Sequence, residues 1–185
     1  MSQHLGLNLY FIYKEVMAEN IINRVENSSL LQVSLDEFYP EGERVLFDIK
    51  GFLKHEIALI ENEFRTNLKQ TNWEDYTGKY VGIVCSVDAI IPLWAFMLVA
   101  SHLQPYAKKV VFGNKEDLEK AIFSEVLSTI DYTAYQDAII IVKGCGKFPI
   151  PEAVVVDFSI QLQKVAKSIM FGEACSAVPL YKRPK

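Results

Sequence analysis

The chain lacks most of the features by which a sequence announces a chemistry. It has no Cys-x-x-Cys pair, and its cysteines number only three, an odd count, in 185 residues. With no secretion signal they are expected as reduced thiols rather than a disulfide frame. There are three histidines, and none is identifiable as the partner that a cysteine–histidine hydrolase needs. No apolar run reaches the roughly 18–20 residues that span a bilayer. The longest, Ala89 to Ala100, is interrupted by Pro92 and reads as a buried helix. Met1 to Val16 is not a signal peptide, because it lacks a basic start and Asn8 and Lys14 break its apolar stretch. It is expected to be a poorly ordered leader, with the regular chain opening at Met17. Net charge is −4 with both signs interspersed, so the basic surface that nucleic acid or anionic lipid would require is missing. There is no low-complexity segment and no clear linker. These absences leave one cytoplasmic domain over residues 17–185, with half its residues hydrophobic and length enough for a sizeable core. The oligomeric state stays open, a homo-oligomer included.

What is present is an internal repeat. Ile91, Pro92, Leu103, Gln104, Ala107, Lys108, Phe112 and Gly113 recur identically 59 residues later as Ile150, Pro151, Leu162, Gln163, Ala166, Lys167, Phe171 and Gly172. A fixed offset without a gap marks a duplicated supersecondary unit, here about 80–113 and 138–172. Tyr80 to Val84 and Ala138 to Val142 are short apolar runs of the kind that form buried strands. The helix after Cys85, capped by Ser86 or Asp88, carries Ile90, Ile91, Leu93, Trp94, Met97 and Leu98. It is apolar nearly all round, so it is expected to be covered on most sides. Lys109 to Phe112 follows as a strand, then Asn114 with Asp117 as a helix start resembling a capping box.

From Glu152 a helical pattern could run unbroken to Phe171. The repeat argues otherwise, because Ser168–Phe171 aligns with the strand Lys109–Phe112. The helix should stop near Lys164, and a fourth strand should return the chain to the first edge of the sheet. Strands joined by helical crossovers form parallel sheets, so the fold class is α/β: a parallel core from a duplicated strand–helix–strand unit. An irregular N-terminal α+β addition precedes it, with strand-like Leu31, Val33 and Leu35, apolar runs at Val45–Phe47 and Ile57–Leu59, a turn at Tyr39–Gly42 and a helix over Glu63–Gln70. Antiparallel pairing is open for the added strands. Val178 to Lys185 reads as a solvated basic tail.

In a parallel sheet ligands bind beyond the carboxyl ends of the strands, and Cys85, Cys145 and Cys175 each fall within a few residues of such an end. Metal binding needs thiolates converging from a rigid frame. The three cysteines are therefore a candidate metal site, with Asp88 as an oxygen donor or outer contact whose plainer role is a helix cap. Three thiolates with an open fourth position would suit an iron–sulfur cluster or a zinc ion. The competing reading is three unrelated buried thiols, since free cysteine is among the most buried residue types. A third is a single reactive thiolate at Cys145, favoured by Lys143, Lys147 and a helix start near Pro151. Phosphate binding at Lys143–Lys147 fits neither a P-loop nor a dinucleotide fingerprint. His102 ends the helix after Cys85, about 20 Å from that thiol, and is not a candidate ligand.

Several stretches resemble one particular group of proteins. They are Asn23-Arg24-Val25-x-Asn27-Ser28, Tyr39-Pro40-Glu41-Gly42-Glu43-Arg44, Cys85-Ser86-x-Asp88-Ala89, Leu103 to Lys108, Lys143-Gly144-Cys145 and Lys167 to Ser176. Together they resemble the uncharacterised bacterial family catalogued as domain of unknown function 2480, over about Met17 to Lys182. The resemblance implies no catalytic roles. It implies, by association only, iron–sulfur assembly proteins as partners. The leading expectation is then a metal- or cluster-binding accessory protein using Cys85, Cys145 and Cys175. The alternatives are a non-catalytic interaction module with incidental thiols and an enzyme with a reactive Cys145.

Overall fold

The computed structural model describes residues 30–144 and 146–184. The expected leader, Met1 to Val16, lies outside them, and so does Cys145. The fold is mixed α/β with mainly parallel strands. Its strands are β1 (Leu30–Val33), β2 (Arg44–Asp48), β3 (Tyr80–Val84), β4 (Lys109–Phe112), β5 (Ile139–Val142), β6 (Ser168–Phe171) and β7 (Val178–Lys182). Its helices are α1 (Glu61–Gln70), α2 (Leu93–Leu103), α3 (Lys115–Thr129) and α4 (Glu152–Val165).

The strands divide between two sheets, where the sequence reading placed them in one. The order β2-β3-β4 forms a three-stranded parallel sheet; β1-β5-β6-β7 forms a second, in which only β7 runs antiparallel, against β6. The pairing left open for the early strands is parallel, β1 beside β5 and β2 beside β3. The tail expected to be solvated supplies β7 as a paired edge strand.

The duplication is literal in the backbone. The amide of Gly78 donates to the Tyr106 carbonyl at 2.9 Å, and 59 residues on Asp137 donates to Val165 at 2.9 Å. Gly113 donates to Ile83 at 3.0 Å, as Gly172 does to Val142 at 2.9 Å. Gly78 and Asp137 both take left-handed conformations, φ 72° and 57°, which glycine and aspartate tolerate better than most residues. As expected, α4 ends at Val165 and Ser168–Phe171 is a strand. That strand pairs with β5 and not with β3, so it extends the second sheet instead of returning to the first.

Helix α3 explains the division. Leu118 and Ile122 pack with Tyr80 and Val111 on one face of the three-stranded sheet. One turn further, Phe123 and Leu127 join Val33, Ile140, Phe158 and Ile169 in the core of the four-stranded sheet. The side chains of Val81 and Ile83 point the other way, into a core with Phe64, Leu68 and Trp73, as the period-two alternation of a strand requires.

Helix α2 departs from expectation twice. Its N-cap is Pro92, with no side-chain cap, so neither Ser86 nor Asp88 plays that part. Proline disfavours helical geometry in the residue before it, which stops the helix from extending back through Ile91. Nor is α2 covered on most sides. Ala95, Val99 and Leu103 are buried, whereas Ile90 is 92 %, Leu93 81 % and Met97 72 % exposed.

Candidate functional site

The two carboxyl edges follow counterpart strands, β3 and β5, and end differently. At the edge of the three-stranded sheet, Asp48 accepts from the amides of Lys50 (2.9 Å) and Ser86 (3.1 Å). Burial raises the affinity of this carboxyl for its proton, but hydrogen bonds from Ser86 and Lys50 outweigh it and hold the pKa below the ordinary aspartate value. Cys85 packs beside the neighbouring core, its thiol 3.5 Å from the Val87 carbonyl. This turn closes on itself.

At the edge of the four-stranded sheet the chain leaves β5 through Lys143, whose amide donates to the Val33 carbonyl at 2.9 Å. The turn Leu35–Phe38 after β1 begins with a capping box between Ser34 and Glu37 and presents Asp36. One Asp36 oxygen accepts from the Lys147 amide at 2.5 Å. The other is buried and has no hydrogen-bond partner among the described residues. Both glycines of the loop are required by close approach. A Cβ on Gly146 would collide with the Asp36 carboxylate, and one on Gly144 would lie 2.7 Å from the Phe171 ring. Ser34, Asp36, Lys143, Gly144, Gly146 and Phe148 are among the residues that line a cavity of about 370 Å³ here.

Behind this edge sits a charged cluster without a signal in the sequence. Arg44 Nε lies 2.8 Å from Glu119 Oε1, both side chains being almost fully buried. The guanidinium lies over the rings of Tyr39 (4.2 Å) and Tyr80 (4.9 Å). The Tyr39 hydroxyl donates to the same Glu119 oxygen at 3.0 Å, and its ring stacks on Phe148 at 3.9 Å. Burial and then the bond to Glu119 push the Tyr39 phenol up, with Arg44 opposing. Arg44 Nη2 and Glu119 Oε2 are buried without partners among the described residues. A second cavity of about 400 Å³, lined by Arg44, Lys115, Glu119 and Glu152 among others, shares Ile150 with the first.

The candidate residues fare unequally. Cys85 follows a strand of the three-stranded sheet, and Cys175 is exposed in the β6–β7 connection of the other sheet. Cys85 and Cys175 thus follow strands of different sheets. Cys145 lies outside the described residues, and the three-thiol site lies outside them with it. Asp88 is exposed. Among the described residues no group of three or more His, Cys, Asp or Glu is placed to hold a metal ion. His102 stacks on Trp73 at 4.9 Å. At the 59-residue offset Ser86 is the counterpart of Cys145, and Gly144 is that of Cys85.

A family model described as protein of unknown function (DUF2480) matches residues 19–183. The chain belongs to this family. No curated protein and no solved structure matches the chain. DUF2480 membership agrees with the resemblance carried by Tyr39–Arg44 and Lys167–Ser176, and it assigns no activity. No helix among the described residues is long and apolar enough to cross a membrane.

Proposed function

We propose that the protein is a non-catalytic accessory protein that holds a soft metal ion, or the iron of an iron–sulfur cluster, at the carboxyl edge of the four-stranded sheet. One observation carries this reading: Gly144 and Gly146, the residues on either side of Cys145, both line the cavity at that edge. Cys145 and Cys175 supply the thiolates from the connections that follow adjacent parallel strands, β5 and β6. Lys143 and Lys147 favour the thiolate form of Cys145 by their charge. The unpartnered oxygen of Asp36 fits a cation, since a buried polar atom without a partner is costly and a metal would satisfy it. Thiolate and carboxylate donors together suit zinc or iron. Two thiolates are half of a four-cysteine cluster set, so a cluster here takes its other ligands from outside the chain, as an assembly partner would provide. Cys85 and Asp88 belong to the other edge and stand outside this donor set.

Metal analysis and a visible spectrum of anaerobically purified protein test this reading. Cys145→Ser and Cys175→Ser should each lose bound metal, while Cys85→Ser retains it. Metal-free, colourless wild-type protein, or equal loss in Cys85→Ser, overturns it. The second reading, an interaction module with incidental thiols, is favoured by the exposed apolar row on α2. It expects metal-free protein whose associations survive all three substitutions.

A further inference from the structure

The duplicated units differ at their outer strands. On β6 the outer edge is filled by β7, antiparallel, from Ser168 opposite Lys182 to Phe171 opposite Val178. Its counterpart β4 ends the order β2-β3-β4 and has no strand on its outer side among the described residues. Free edges are normally blunted by proline, a bulge or a charge. The segment Lys109-Val110-Val111-Phe112 has no proline, its pairing with β3 is without a bulge, and its single charge is already engaged by Glu125 at 2.6 Å. Beside this edge Phe112 is 70 % exposed and meets Phe96 of α2 edge to face at 5.1 Å. Leu93 and Met97, one turn apart on α2, and Ile90 before it continue the exposed apolar surface. Contiguous apolar surface of this kind marks an interaction site.

We propose that β4 and the adjoining face of α2 form a homodimer interface, in which β4 pairs antiparallel with β4 of a second copy of this chain. Three features point to a second copy. Antiparallel addition is the pairing that the equivalent strand accepts. A strand paired antiparallel with itself generates a two-fold axis, so one surface serves both subunits. Centred between Val110 and Val111, the pairing sets Lys109 against the partner's Phe112, and like charges never meet across it. The row Ile90, Leu93, Met97 is uncharged and meets its own copy without repulsion. The result is a continuous six-stranded sheet. This interface is independent of the thiol edge, which belongs to the other sheet.

Sedimentation of the full chain tests it, with hydrogen exchange at two concentrations as a second measurement. The wild type should sediment at about 10 μM as a species of twice 21.1 kDa. The amides of Val110 and Val111 should gain protection as concentration rises. Phe112→Glu and Met97→Glu, both at exposed positions, should keep the wild-type circular dichroism and weaken the dimer at least about 10-fold. Three results overturn the proposal. One is a wild type that stays monomeric; another is a dimer that both variants leave unaltered. The third is a monomer that dimerises only when residues 1–29 are removed, which would assign the edge to that segment of the same chain.

Discussion

At the end of β3 the chain turns inside its own hydrogen bonds, whereas at the equivalent end of β5 it opens a cavity. The backbones of the two units are near copies, so the contrast lies in a few side chains. Asp48 places its carboxylate on the amides of Lys50 and Ser86, and nothing polar is left over. In the other unit Ser34 occupies the capping position and the carboxylate comes two residues later, from Asp36. Its reach to the Lys147 amide ties that turn to the chain following β5, beside the cavity. Duplication kept the scaffold and let one rim close while the other became a pocket.

The largest effect should come from the joint between the two sheets. Glu119→Ala leaves Arg44 buried and unpaired, which is expected to cost about 3–5 kcal/mol in a urea titration. Arg44→Met combined with Glu119→Leu should cost less than Glu119→Ala alone, and a double variant worse than that single one would show the pair to be net stabilising. Next is the pocket itself. Gly146→Ala forces a Cβ against Asp36 and should cost about 1–3 kcal/mol, whereas Ser86→Ala at the closed rim removes one exposed hydroxyl bond to Asp48 and should cost under about 1 kcal/mol. Strong coupling between Gly146→Ala and Asp36→Ala in a double-mutant cycle would locate the strain.

A smaller effect distinguishes the matched turns. Gly78→Val should cost about 1–2 kcal/mol because φ is 72° there. Gly78→Asn should be nearly neutral, since Asp137 already occupies the equivalent conformation. Equal losses for the two variants would deny that the turns are equivalent. The smallest effect is on pH dependence. The folded-state pKa of Asp48 is depressed, so its contribution is complete above the ordinary carboxylate range and disappears as pH falls through the depressed value. Asp48→Asn should remove that contribution as a constant, small loss of stability at neutral pH and flatten the profile below about pH 4. An unchanged acid slope would assign that dependence to other carboxylates.

Reading the sequence captured local structure better than pairing. The repeated Pro92 and Pro151, Phe112 and Phe171 located β4, β6 and the end of α4, because backbone duplication is written in identical residues at one offset. Which strand lies beside which is decided by long-range contacts, and there the signal failed. Helix α3 serves both sheets, and its apolar positions carry no mark of two separate partners. Glu119 among them reads as an ordinary polar residue until Arg44 is brought beneath it. The candidate site was half legible: Gly144 and Gly146 stood out as a loop, but Asp36 sat inside a modest capping pattern, Ser34-Leu-Asp-Glu37. That Cys145 has Ser86 and not a thiol as its counterpart was readable from the offset itself. Edge exposure on α2 was misjudged because an all-apolar helix looks the same whether a neighbour lies within the chain or outside it.

The four-stranded sheet draws on both extremities of the described chain, with β1 opening it and β7 finishing it, while the three-stranded sheet is contained between Arg44 and Phe112. During synthesis the inner half is complete once α3 has emerged. The outer half must wait for its last strands, with β1 held unpaired for about a hundred residues and the entropy of that long closure still to be overcome. A ribosome stalled after α3 therefore carries one finished sheet and one orphan strand, and translation through Val142 is what gives that strand its neighbour.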